Sequence, residues 1–161
     1  MGRESRSSDR RSGVGRILDD AANAKLLQRL RSFLLGILLL GTLALISELA
    51  LVEHWGDQVQ RVPLALLGLI AVTTLAVGFR PVPPVLAVFR LVMISAVLAG
   101  CAGALFHFRS NAIVERGLDS TLMGPALVES ALSGAIPVLA PWALIQLGLL
   151  GIAAVYRHPG P

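Results

Sequence analysis

The sequence predicts an all-α polytopic membrane protein, a bundle of four transmembrane helices behind a disordered, basic N-terminal tail. Three observations carry that expectation. Hydrophobic residues make up 55% of 161 residues, with a mean hydropathy of +0.73. A soluble domain of this size could not enclose so much apolar surface. The apolar residues also gather in four runs, of lengths near the roughly 20 residues that cross about 30 Å of hydrocarbon. Finally, eight of the fourteen Lys and Arg precede Ser32, directly before the first run. A net charge of +4 concentrated there reads as a juxtamembrane anchor facing anionic lipid, and excludes a nucleic-acid-binding surface.

Residues 1–18 are rich in Ser, Arg and Gly and lack periodicity, which predicts a disordered tail. Arg10-Arg11 has no cleavage site after it, and the apolar run that follows is too long for a signal peptide. Over 19–31, acids come first and bases last, and Leu26, Leu27 and Leu30 share a side, which predicts a juxtamembrane helix. A membrane domain then extends over 32–158, with spans at about 33–53, 62–79, 85–106 and 135–156.

Prolines punctuate these runs. Pro63 suits the first turn of the second span, whereas Pro81, Pro83 and Pro84 make a stiff turn before the third. Arg90 lies about a turn inside the third span, close enough for its head to reach the interface. A short interfacial helix is expected near Pro125, and Pro137 with Pro141 predicts a kink in the fourth span. Trp55, Trp142 and Tyr156 fall near span ends, as interfacial aromatic residues do.

Charge also predicts orientation. With both termini in the cytoplasm, eleven bases lie inside, and only Arg61, Arg109 and Arg116 lie outside. Thirteen of the fourteen bases are Arg, in an Ala/Leu/Gly/Val-rich background, a composition that suggests a GC-rich bacterial source and hence an inner membrane. Cys101 is the single cysteine, so no internal disulfide or cysteine metal motif is available.

Candidate chemistry gathers at the outer face. Glu48 lies about 6 Å inside the first span's outer boundary at 1.5 Å per residue. Gly41 and Ala44 share its helical face, which predicts that it points into the bundle. There it is either a structural acid bonded to a neighbouring helix or a proton acceptor. His107 continues a seam of small residues, Ala96, Gly100 and Gly103, and a continuing helix would align Asn111 and Glu115 with it. Glu53 and His54 end the first span on the same side. Glu48, Glu53, His54, His107, Asn111 and Glu115 therefore form a candidate site for a divalent transition metal, against the plainer reading of a solvated polar rim. Gln146 reads as a residue bonding across helices, and Thr73 and Thr74 as hydroxyls bonded to their own helix. No nucleophile elbow, nucleotide loop or zincin motif occurs, so no enzyme and no resident cofactor are expected.

The stretch E-L-x-L-x-E-H over 48–54, Gln60, Pro63, His107 with Asn111, and Pro137/Pro141 through Arg157-His158-Pro159 resemble a group of small bacterial four-span membrane proteins with no established activity. That resemblance covers 33–159 and implies the same topology. The expected role is that of an accessory or interaction subunit whose partners are membrane lipids and another membrane protein or a second copy. Metal binding or proton-linked transport at the outer cluster is the alternative.

Overall fold

The computed structural model describes the backbone of residues 4–51, 53, 56, 58–136, 138, 141–156 and 158, with side chains from 21 onward apart from Val59. Among these residues the secondary structure is helical, with no strand. Five helices follow one another: α1 (Glu4–Leu51), α2 (Gln58–Phe79), α3 (Pro83–Leu118), α4 (Gly124–Leu132) and α5 (Trp142–Ala154). Helix α1 is continuous from Glu4, so the expected tail and juxtamembrane helix belong to the same 48-residue rod as the first apolar run.

Among the described residues, three helical stretches are long and apolar enough to cross a membrane, namely Ala21–Leu51, Gln60–Phe79 and Pro83–Leu118. The fourth apolar helix, α5, has 13 residues and is about 20 Å long at 1.5 Å per residue. The expected kinked span is instead broken. Pro141 stands at the N-cap of α5, and its carbonyl accepts the Leu144 N–H at 3.1 Å. A proline has no N–H to give an upstream turn, and its ring obstructs the carbonyl four residues back. It can start a helix far more readily than continue one. Pro137 lies outside the described residues.

Proline also shapes the α2–α3 connection. Val82 is extended at the N-cap of α3, with Pro83 and Pro84 in the first turn, where missing N–H groups leave nothing unsatisfied. Helix α3 then runs for 36 residues, well past the apolar run, and carries His107, Asn111 and Glu115 on one continuous helix. It stops at Asp119, whose carboxylate accepts the Thr121 N–H at 2.8 Å and the Thr121 hydroxyl at 2.6 Å. These bonds hold the carboxyl of Asp119 below its ordinary range, the hydroxyl bond being the larger cause.

The long helices and α5 pack in a ring, α1 on α2, α2 on α3, α3 on α5 and α5 on α1, with α4 on the far end of α3. Leu38, Leu67, Ile70, Phe89 and Met93 are fully buried at its centre. Among apolar helices in lipid, burial of hydrocarbon gains little, because lipid tails are equally apolar, and close packing decides instead. That packing is tightest between α3 and α5. A Cβ at Gly148 would lie 2.7 Å from the Met93 carbonyl oxygen and 2.7 Å from the Val97 side chain. The small residues at this seam let two backbones approach nearly to contact.

Thr42, Thr73 and Thr74 are buried within the ring, and each hydroxyl donates to a carbonyl on its own helix. Thr42 bonds Leu38 at 2.7 Å, Thr73 bonds Leu69 at 2.7 Å and Thr74 bonds Ile70 at 2.6 Å. Polar groups are thus placed in the core at little cost.

Candidate functional site

The outer residues singled out by sequence divide among different surroundings. Asn111, 2% exposed, is the best defined. Its Nδ2 donates to the Ala131 carbonyl at 2.9 Å and to the Ile136 carbonyl at 2.7 Å, and its Oδ1 accepts the Ile136 N–H at 3.1 Å. One amide therefore satisfies three backbone groups, the Ala131 carbonyl in the last turn of α4 and both polar groups of Ile136 in the non-helical stretch after it. Gly134 makes the approach feasible, since a Cβ there would lie 2.6 Å from the Asn111 side-chain carbon. Both ends of the carboxamide are thus held by backbone, with its single acceptor atom already turned to the Ile136 N–H. The sequence assigned Asn111 as a ligand, and this geometry makes it a staple.

Glu48 is a second correction. It is exposed on α1, whose packed stripe runs instead through Leu38, Thr42, Leu45 and Leu49. Gly41 does approach α5, with a Cβ there 3.0 Å from Leu147, but this contact does not bring Glu48 inward with it. The helix is apolar on nearly every side, so the small residues did not mark the buried face uniquely.

Glu53 is exposed just beyond α1 with φ of 52°, and its N–H donates to Ala50 at 3.2 Å. His107 and Glu115 are half-buried on the same face of α3 as Asn111. The small-residue seam before His107 does pack closely, with Gly100 and Gly103 against Pro141. His54 lies outside the described residues. Among the described residues, no three His, Cys, Asp or Glu side chains come together as a metal-binding group would require.

Gln146 also departs from expectation. It is exposed on α5, on the same side as Trp142 and Leu149, and faces away from the other helices. Its amide makes no hydrogen bond among the described residues. The close-packing positions of α5 belong to Ile145 and Gly148, and at 100° per residue Gln146 turns off that line.

The opposite end of the bundle brings together Arg31, Arg90 and the C-terminal end of α5. Arg31 of α1 donates to the Tyr156 carbonyl at 3.4 Å, and Arg90 of α3 donates to the Val155 carbonyl at 3.3 Å. Both guanidiniums thus cap the C-terminal end of α5, where carbonyls lack helical partners and the dipole favours cations. His158 follows directly, its N–H bonded to Val155 at 3.1 Å. Its imidazole is held below its ordinary value, first by burial and then by the positive charges of Arg31 and Arg90. A groove of about 300 Å³ opens beside them, lined by Arg90, Ile94, Ile152, Val155 and Tyr156. The sequence signal for this cluster was present in the placement of Arg31, Arg90 and the R-H-P tail on one side. What it lacked was a sign that the middle of α1, the start of α3 and the end of α5 meet at the same point.

Comparison with protein-family models, with curated proteins and with solved structures finds no match in any of the three.

Proposed function

We propose that this chain is a four-crossing subunit of a bacterial inner membrane, with both termini cytoplasmic, that works by lateral association with another membrane protein. The fourth crossing, on this reading, combines the non-helical stretch after α4 with α5. Its ends are tied to α3 by Ile136 at Asn111 and by Val155 at Arg90. Counted inclusively those anchor points bound roughly 20 residues, about 30 Å along a helix, the thickness of a hydrocarbon core. Irregular backbone is tolerated at such depth only where protein satisfies it, the role that suits Asn111. The excess of bases before Ser32 supports the orientation.

The observation that carries the association is Gln146, an exposed amide in the second turn of an apolar helix. Hydrocarbon offers such a group no partner, whereas a neighbouring helix does. Metal or proton chemistry at the outer face has less support, because Asn111 is committed to backbone and Glu48 is exposed. In mild detergent, full-length protein with an engineered affinity tag is expected to retain a second chain, its own copy or another membrane protein, detectable by in-membrane crosslinking. Gln146→Leu should weaken that association by about 1–2 kcal/mol, near fivefold to thirtyfold. Recovery of an uncrosslinked monomer from wild type and variant alike would defeat the proposal.

A further inference from the structure

The groove between α3 and α5 changes character along its length. At one end is the Arg90 guanidinium; beyond it the walls are Ile94, one turn along α3, and Ile152, facing it from α5. Ile94 and Tyr156 are exposed, so the groove opens sideways from the bundle rather than into it. Arg31 and Arg90 converge on adjacent carbonyls, which brings two positive heads from different helices to the mouth of this groove. The Arg90 bond to Val155 engages one of the five donors of a guanidinium, so its remaining fork can meet an anion.

We propose that this groove holds one anionic phospholipid, its phosphate on Arg90 and Arg31 and an acyl chain along Ile94 and Ile152. The inference rests on the reading that these helices lie in a bilayer. The depth is appropriate, because the apolar runs of α1 and α3 continue immediately after Arg31 and Arg90. Basic pockets between helices at the cytoplasmic side suit acidic headgroups. The apolar walls select a lipid over a free phosphate, which would engage the cations and leave Ile94 and Ile152 uncovered. A zwitterionic lipid would supply the chain but bring its own cation to the arginines.

Native mass spectrometry of the full-length chain, released from nanodiscs of equal phosphatidylglycerol and phosphatidylcholine, tests the site. Wild type is expected to retain one phosphatidylglycerol in preference to phosphatidylcholine. Arg31→Gln and Arg90→Gln should each reduce that preference about fivefold, and Arg90→Lys should keep most of it. Arg80→Gln, at an exposed base beyond α2, should leave it unchanged. Ile152→Trp fills the groove without touching charge, and loss of the bound lipid in that variant supports the site even should Arg90→Gln misfold. Equal retention of the two lipids, an equal loss in Arg80→Gln, or displacement by excess inorganic phosphate would each overturn it. Failure of the wild-type chain to fractionate with membranes would overturn the bilayer reading as well, an outcome distinct from a membrane-bound chain without lipid preference.

Discussion

A single carboxamide holds the least regular part of the membrane domain. Asn111 bonds both polar groups of Ile136 and the carbonyl of Ala131, so a side chain on α3 substitutes for a missing helical turn. Removing it orphans the buried Ala131 carbonyl, at a cost of about 1–3 kcal/mol, together with the partly buried polar groups of Ile136. Asn111→Ala is expected to lose stability in that range, measured by reversible unfolding in mixed micelles, and to expose residues 133–136 to protease. Asn111→Asp should not rescue it, because a carboxylate keeps the acceptor for Ile136 but turns oxygen toward two carbonyls. Unfolding and proteolysis indistinguishable from wild type in both variants would show the staple to be idle.

Among elements, the α3–α5 pair matters most. Its contact depends on Gly148 and on the Met93 and Val97 region opposite, where added volume meets a carbonyl oxygen that cannot rotate away. Gly148→Ala is therefore expected to destabilise by about 1–3 kcal/mol, the usual cost of overpacking. Gly36 in α1 provides the contrast, with nothing within 4 Å of where a methyl group would be added. Gly36→Ala should be neutral or stabilising by about 0.4–1 kcal/mol through reduced chain freedom in the unfolded state. Thermal unfolding of the two variants in one detergent checks the pair, and equal effects would remove the close-approach argument. Separation of α5 from α3 would also withdraw Val155 from Arg90, so damage at this seam is expected to reach the basic groove.

At the scale of the molecule, the question is how often the chain crosses the bilayer. Three helical stretches suffice by length, and α5 does not. If α5 and the stretch before it cross together, reporter fusions after Arg31 and after His158 should both report cytoplasm, whereas fusions near Asp119 should report the opposite side. Cysteine replacements at Ser120 and at Arg80 should label from opposite faces with a membrane-impermeant reagent. Termini on opposite sides would mean that α5 does not complete a crossing, and would put Arg31 and Tyr156 too far apart for the basic cluster to exist as described.

Some of this architecture is local and was legible in the amino-acid string. Long apolar runs make helices in any folded arrangement, and Thr73 and Thr74 turn back on their own backbone, whereas Pro83 and Pro84, expected in the turn, stand in the first turn of α3. Other features depended on packing. Hydropathy cannot identify the buried face of a helix that is apolar all round, because lipid and protein neighbours are nearly equivalent to it. For that reason Glu48 and Gln146 were expected to face inward but are exposed. Asn111 and Arg90 have their partners 20 and 65 residues further along the chain, respectively, separations that no periodicity records. Only the rotation of each rod about its axis, set by which side chains allow close approach, decided that the amide would staple the stretch before α5 and that two arginines would meet at the end of that helix.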